Sequence, residues 1–169
     1  QLSADRGDLW YPYAARMPLT PESITQPRRE MTTFILHSMA GPNLTSLEAL
    51  WTYMNRLDIT GECTWILDMA GRCAQTLPCD VRADNTYLAN GFATSVETQD
   101  RGYLADPGIR LTPWTDIQLA QLAGLSAWQV LNPRLNIPLS RADDGWDGGG
   151  IDGHRRYKEW SKFVGKTCP

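Results

Sequence analysis

Short apolar segments rich in β-branched residues alternate with helical patterns along this chain. Residues 31–36 are apolar, follow charged residues and precede a Gly-Pro pair, so they predict a buried strand with His37 at its carboxyl end. Residues 92–98 alternate between apolar and polar positions and predict a second clear strand. Because side chains alternate across a strand, one face of it would carry Ala93, Ser95 and Glu97.

Weaker strand signals surround these two segments. Residues 63–67 and 72–77 predict a hairpin with a tight Met-Ala-Gly turn, and residues 136–139 predict a short last strand. The stretch 143–153 contains five Gly and four Asp. This composition is typical of a loop, which here would lead to His154.

Two segments have the 3.6-residue spacing of an amphipathic helix. Thr45 or Ser46 can cap the first, whose apolar stripe continues to about Leu57. Thr112 followed by a proline predicts the start of a second helix, which would end near Leu131. We expect that helix to be largely buried, with an apolar face formed by Ile117, Ala120, Gly124, Ala127 and Leu131 and widened by Leu119, Leu122 and Leu125.

The interleaved strands and helices predict a single α/β domain, with a central mixed sheet of five or six strands flanked by helices. Four prolines in the first thirty residues predict an extended arm, residues 1–30, that packs on the domain through Trp10, Tyr11 and Tyr13. Residues 31–169 would form the domain itself. We expect its functional cleft at an edge of the sheet.

Composition and charge narrow the function classes. The chain has 169 residues, of which 42% are hydrophobic and 21% charged, with a net charge of −3 at pH 7. This is the composition of a globular domain, without the basic surplus that a general nucleic-acid binder needs. No apolar run approaches the roughly 18 residues needed to span a bilayer, and no secretory signal pattern opens the sequence. We expect a monomer that is a piece of a longer protein.

The candidate chemistry lies in a few residues, because the chain has only two histidines. His37 and His154, together with Cys168, would be good zinc ligands that leave a fourth position for water. However, a single histidine beside a strand is more often a hydrogen-bonded core residue, and a single cysteine near a terminus is usually inert. The residues alone leave both interpretations open.

Several short motifs occur in a characteristic order. They are Phe34-Ile35-Leu36-His37-Ser38, the hairpin 64–72, Ser95-Val96-Glu97-Thr98, and Gly153-His154-Arg155 followed by Lys166-Thr167-Cys168-Pro169. This order resembles the type 2 N-acetylmuramoyl-L-alanine amidase family, the zinc amidases related to peptidoglycan recognition proteins. Within the family the likeness is greatest to amidase domains of endolysins from phages of mycobacteria and their relatives. It runs from about Met31 to Pro169, and its last motif is the most specific.

The resemblance implies hydrolysis of the amide between the lactyl group of N-acetylmuramic acid and L-alanine in bacterial peptidoglycan. It implies Zn2+ as cofactor, with the three metal ligands at His37, His154 and Cys168. It places a catalytic lysine at Lys166, where it would stabilise an oxyanion, and a catalytic carboxylate at Glu97, where it would transfer protons. The alternatives are a surface Glu97 paired with Arg101 and a solvated Lys166.

The resemblance fails at one position, since some family members have a catalytic tyrosine where this chain has Cys63. A thiol cannot replace a phenol as a hydrogen-bond donor of that reach, so we expect Cys63 to pack as a small apolar residue. Cys73 and Cys79 are a candidate disulfide, which the cell wall would permit and folding in the cytosol would disfavour. Three further residues on loops are candidate substrate-binding groups: Asn85, Asn90 and Trp146.

The predicted function is therefore a zinc amidase whose partner is bacterial peptidoglycan, without nucleic-acid binding or membrane insertion. As the catalytic module of a phage endolysin it would be made in the host cytoplasm and act in the cell wall. Two other functions remain open. One is a non-catalytic peptidoglycan-binding module of the same fold, and the other is a metal-independent cysteine hydrolase that uses Cys168 and His154.

Overall fold

A six-stranded mixed β-sheet with helices against it makes up the described part of the chain. The computed structural model describes residues 9–20, 29–39, 46–56, 61–99, 114–140 and 149–154. The strands are β1 Ala15–Arg16, β2 Thr33–Met39, β3 Trp65–Leu67, β4 Cys73–Gln75, β5 Ala93–Gln99 and β6 Gly150–Gly153. The helices are α1 Leu47–Met54, α2 Asp116–Leu131 and a short 3-10 helix, Tyr87–Ala89. The predicted α/β class and mixed sheet are confirmed.

The sheet has the strand order β1-β4-β3-β5-β2-β6. β3 and β4 form the predicted antiparallel hairpin, whereas β1–β4, β3–β5, β5–β2 and β2–β6 are parallel pairs. Because β2 runs parallel to both of its neighbours, the carboxyl ends of β5, β2 and β6 meet at one edge of the sheet.

The turn of the hairpin is fixed by one acidic residue and one glycine. Asp68 accepts hydrogen bonds from the backbone N–H of Arg72 at 2.8 Å and from its Nε at 2.6 Å. Gly71 has a φ of +80°, a backbone conformation that residues with a Cβ rarely adopt. The Met-Ala-Gly turn predicted from the sequence is therefore present.

Side chains that alternate across the strands build hydrophobic clusters on both faces of the sheet. On one face Phe34, Trp65 and Val96 pack with Leu122 and Leu125 of α2. On the other face, α1 covers the hairpin with a cluster that includes Leu47, Leu50, Met54, Ile66 and Ala74. Burial of this apolar surface on both faces is the main stabilising term, and it leaves the carboxyl edge for polar groups.

Both helices begin at a hydroxyl cap. The Ser46 side chain accepts from the Ala49 N–H at 3.1 Å, as predicted for α1. The second helix starts later than expected, because Thr115 forms a capping box with Gln118; Thr112, the expected cap, lies outside the described residues. In the described part of the chain, no helix combines the length and apolar character needed to cross a bilayer.

The predicted buried face of α2 is confirmed at Leu122 and Leu125 but wrong at the two ends of the helix. Ile117 is 50% exposed and Leu131 is 80% exposed, whereas the buried stripe consists of Gln118, Leu122, Leu125 and Gln129. The two glutamines can be buried because their amides find partners in the sheet. Gln118 Nε2 donates to the Gln99 carbonyl at 3.0 Å, and Gln129 Oε1 accepts from Thr94 Oγ1 at 2.6 Å.

Two further expectations need correction at the end of the described chain. Residues 136–139 form no strand, although the Asn136 N–H donates to the Met31 carbonyl at 3.1 Å. Residues 150–153, expected to be loop, form β6 and pair with β2. Gly149 and Gly150 have φ values of +63° and +131°, and this glycine backbone lets the chain enter the sheet edge.

Part of the expected N-terminal arm belongs to the sheet. β1 pairs with β4, and Leu9, Tyr11 and Leu19 are buried against the body of the domain. Tyr13, which we expected to hold the arm in place, is instead 81% exposed.

The glycine that leads into β6 provides a test of this architecture. A Cβ on Gly149 would lie 2.1 Å from the Thr32 carbonyl oxygen, at a positive φ. We expect Gly149→Ala to lower the free energy of unfolding by about 1–3 kcal/mol, measured by urea denaturation followed by tryptophan fluorescence. Gly91→Ala is the matched control, because a Cβ there meets nothing within 4 Å. Equal denaturation midpoints for the two variants would contradict the geometry of this turn.

Candidate active site

Strand register brings three sequence-predicted site residues to one edge of the sheet. His37 on β2 is the register partner of Glu97 on β5. On the other side of β2, Leu36 pairs with Gly153, so His154 follows at the level of His37. The three side chains lie on the same face, because residues at one level of adjacent strands point the same way.

The two imidazoles lie against each other in a buried position. Their ring centroids are 4.6 Å apart at an interplanar angle of 55°, and each residue is 1% exposed. Imidazole is a good ligand for zinc, and rings this close together can bind the same ion. The pair therefore fits two of the three predicted metal ligands.

Glu97 lies beside this pair and reaches the surface. Its Oε1 is 3.8 Å from His37 Nδ1, and its side chain is 15% exposed. A carboxylate that touches a buried site and also reaches solvent can exchange protons with a bound reactant. The alternative, a surface Glu97 paired with Arg101, stays a prediction, because Arg101 lies outside the described residues.

The backbone of His37 is held from the opposite face of the sheet. Thr98 Oγ1 donates to the His37 carbonyl at 2.8 Å, and Trp114 Nε1 donates to Thr98 Oγ1 at 2.8 Å. Thr98 is fully buried. This chain of hydrogen bonds links the position of His37 to the segment that precedes α2.

Sequence reasoning missed Thr86, which contacts the first histidine. His37 Nε2 lies 3.2 Å from Thr86 Oγ1, and both residues are 1% exposed. Thr86 belongs to the connection between the hairpin and β5, which the sequence marks only as polar. A contact between positions 49 apart has no local sequence signal.

The remaining predicted groups of the site are not in the described residues. Cys168, Lys166 and Trp146 lie outside them. Among the residues that the structure does describe, no three His, Cys, Asp or Glu side chains are arranged to hold a metal ion. The third metal ligand is therefore still a prediction.

Several solved structures of N-acetylmuramoyl-L-alanine amidases and peptidoglycan recognition proteins have a similar fold. The endolysin N-acetylmuramoyl-L-alanine amidase LysCS from Clostridium intestinale is 13% identical, with 95% of this chain and 89% of that chain covered and a TM-score of 0.58. Human PGRP-IβC, solved in complex with glycosamyl muramyl pentapeptide, is 14% identical, with 92% and 90% covered and a TM-score of 0.59. Staphylococcus aureus hydrolase AmiA, solved with its ligand, is 16% identical, with 90% and 70% covered and a TM-score of 0.58.

This chain has the amidase fold. At these identities the likeness establishes the architecture and does not assign an activity. No protein-family model matches the sequence, and no curated protein matches it. In this amidase fold, the pair of histidines and Glu97 lie together at the carboxyl edge of β2, β5 and β6.

Cys63 packs inside the amidase fold as expected. It is fully buried in the cluster under α1, where its Sγ lies 2.9 Å from the Trp65 carbonyl oxygen and 3.5 Å from Met54 Sδ. Burial raises the pKa of the Cys63 thiol well above its usual range, and the negative charge of Glu97 raises this pKa further. Cys63 is therefore a neutral thiol next to the carboxylate.

The two candidate asparagines differ in what their amides already bind. Asn90 is 9% exposed; its Oδ1 accepts from the Thr86 N–H at 2.6 Å and its Nδ2 donates to Asp84 at 3.1 Å. These two bonds hold the loop around Thr86, and a role of Asn90 in substrate binding stays a prediction. Asn85 is half-buried and its Nδ2 is 3.3 Å from Ser95 Oγ, on the Glu97 face of β5.

The candidate disulfide is not formed in the structure. Cys73 and Cys79 are both free, buried thiols in the core cluster that faces α2. Cys79 Sγ lies 3.5 Å from Gln75 Nε2. Burial raises the pKa of Cys73 to about 12 and that of Cys79 well above its usual range, so both are neutral near pH 7.

Thiol titration can test this arrangement. In a Cys168→Ser variant at about pH 8, we expect Cys63, Cys73 and Cys79 to be unreactive toward an aromatic disulfide reagent. An unfolded cysteine at that pH is roughly a quarter thiolate. In denaturant without reductant, all three should react within minutes. A reading of one thiol instead of three would show that Cys73 and Cys79 are bridged.

Proposed function

We propose that this protein is a zinc-dependent N-acetylmuramoyl-L-alanine amidase. It would hydrolyse the amide between the lactyl group of N-acetylmuramic acid and L-alanine in bacterial peptidoglycan. The observation that carries the proposal is the buried contact of His37 with His154, with Glu97 beside them, at one edge of the amidase fold. The shared fold with amidases supports the same conclusion.

The donor set suits zinc. His37 and His154 would supply two nitrogens and Cys168 one sulfur, and three such ligands are typical of a catalytic zinc site. When bound, the ion would lower the pKa of a water molecule and polarise the substrate carbonyl. Nearly complete burial of both rings restricts access of bulk water to the site.

Glu97 would act as the general base and then as the general acid. Its carboxylate would accept a proton from the water that attacks the carbonyl carbon, and would return this proton to the nitrogen of the leaving alanine. Its register position fixes it beside His37, while its partial exposure lets it reach the substrate. The neutral Cys63 thiol leaves the carboxylate without a competing charge from that side.

Lys166 would stabilise the negative charge that develops on the carbonyl oxygen, through a fixed positive charge. This assignment follows from the resemblance of the motif that ends at Cys168. Asn85 would contribute a hydrogen bond to the muramyl peptide, and Trp146 would line the cleft.

The biological setting that we propose is cell-wall lysis. The chain would be the catalytic module of a phage endolysin, made in the host cytoplasm and acting as a monomer on the wall. Its fold is shared with LysCS, whose name identifies it as an endolysin amidase.

A peptidoglycan-binding module is the second candidate function. Human PGRP-IβC has the same fold and was solved with a muramyl pentapeptide. A module that only binds has no need of two converging imidazoles beside a carboxylate, so we favour the enzyme.

Metal removal is the direct test of the proposed function. Purified protein should contain about one zinc per chain by elemental analysis. A strong chelator should abolish the release of stem peptides from purified peptidoglycan, and added zinc should restore it. Binding to peptidoglycan without turnover in a zinc-loaded sample would support the recognition function instead. Activity that survives chelation and is lost on alkylation would support a cysteine hydrolase.

The role of Glu97 can be tested with a matched pair of variants. Glu97→Gln keeps the size of the side chain but cannot accept the proton, so we expect kcat to fall by about 10²–10⁴-fold, with zinc content unchanged. Glu48→Gln is the control, because Glu48 is 65% exposed on α1 and its nearest ion-pair partner is Arg72. Activity should be measured by mass spectrometry of peptides released from peptidoglycan. A Glu97→Gln variant with near-normal kcat would exclude the assigned role.

A further inference from the structure

The outer face of α2 is apolar although it is exposed. The helix buries one stripe of side chains, and its exposed positions are Asp116, Ile117, Leu119, Ala120, Ala123, Ala127 and Leu131. All of these except Asp116 are apolar. A helix at the surface of a globular protein normally has charged and polar residues on the side away from the core. A contiguous exposed apolar surface of this kind marks an interaction site.

Five of these positions form one continuous strip along the helix. Ile117 does not belong to it, because a Cβ on Gly71 would lie 2.5 Å from Ile117 Cγ1, so this side chain rests on the hairpin turn. We call the remaining strip the outer face, which consists of Leu119, Ala120, Ala123, Ala127 and Leu131, flanked by the half-buried Val130. Leu119 is 47% exposed and Leu131 is 80% exposed.

The charges around the outer face indicate what kind of partner it fits. Asp116 is the one charged residue of α2, and the exposed Arg134 follows three residues after the helix ends. The outer face therefore has a negative group at its start and a positive group beyond its end. Helices that lie on membranes are rich in lysine and arginine on their polar side, and α2 contains neither residue. This favours a protein partner over a lipid surface.

The sequence of the outer face is self-complementary about position 125. Asp116 and Arg134 are each nine residues from this position, Leu119 and Leu131 are each six, and Ala123 and Ala127 are each two. Two antiparallel copies of α2 that cross there bring such positions level with one another. The aspartate of each copy then lies beside the arginine of the other, and the small alanines at the centre allow the helix axes to approach closely. A two-fold interface requires this kind of reciprocal match.

We propose that the outer face of α2 is a self-association surface, on which a second copy of this chain packs antiparallel with Asp116 of each copy beside Arg134 of the other. A helix of 16 residues is about 24 Å long and 10 Å wide. The face then buries roughly 400–500 Å² per copy, less than the 800 Å² per partner of a standard interface. The chain is therefore a monomer when dilute and pairs at high local concentration.

Pairing through α2 leaves both candidate active sites open. Val96 points to the side of the sheet that α2 covers, whereas the next residue, Glu97, lies on the other side with His37. The two sites would thus face away from each other in the dimer. This inference does not depend on the proposed reaction, since its test is the oligomeric state.

Sedimentation equilibrium on the full chain measures the association directly. Between about 10 µM and 1 mM, the range of a weak complex, the mass should rise from 19.0 kDa toward twice that value. Leu119→Glu should hold it at 19.0 kDa throughout. Leu88→Glu is the matched control, because Leu88 is also 47% exposed but lies on the 3-10 helix, whose Ala89 packs with Ile35 on the other side of the sheet. It should associate like the wild type, and circular dichroism should show that both variants are folded.

Charge exchange tests the antiparallel arrangement. Asp116→Arg and Arg134→Asp each place like charges together at both ends of the interface, so each alone should associate about tenfold more weakly or less. In an equimolar mixture, opposite charges meet at both ends, and the affinity should return to that of the wild type.

Three outcomes would overturn the proposal. The first is a wild type that stays at 19.0 kDa over the whole concentration range, which would leave the outer face to a different partner. The second is association that Leu119→Glu weakens no more than Leu88→Glu does. The third is a mixture of the two charge variants that associates no better than either variant alone.

Discussion

The parallel pairing of β2 with β5 on one side and β6 on the other is the constraint on which the rest of the site depends. Each ladder fixes which residues lie at the same level, and a slip of one residue would turn the side chains of a strand to the opposite face. With the observed register, His37 has Glu97 on one side and His154 on the other. The strand register thus brings together residues that are far apart in the sequence.

The same strands serve stability and chemistry on opposite faces. Phe34 and Val96 pack against α2, while His37 and Glu97 point away from it. Alternation therefore lets polar groups gather on one face without opening the core on the other. The hydrogen bond from Thr98 to the His37 carbonyl connects the two faces. Thr98 lies on the opposite face from the site, and His37 belongs to the site.

Much of this arrangement could be predicted from the sequence, because β2, β5 and the hairpin have strong local patterns. His37, His154 and Glu97 were identified as candidates, and the structure brings them together. β6 could not be predicted, since a glycine-rich segment has no apolar alternation and becomes a strand only through its neighbour β2. The sequence predicts only part of the buried face of α2, because two glutamines lie there beside Leu122 and Leu125, with their amides bound by the sheet. Thr86 and His37 are 49 positions apart in the sequence, so no local pattern predicts their contact.

The two histidines occupy unequal places in the sheet. β2 has a strand on each side, whereas β6 is the outermost strand among the described residues. The Ile151 N–H of β6 donates a hydrogen bond to the Ser140 carbonyl. Edge segments open locally at a lower free energy than central strands, as amide hydrogen exchange reveals. In the described part of the sheet, His154 therefore follows the strand expected to open at the lower free energy, whereas His37 lies on a strand held from both sides.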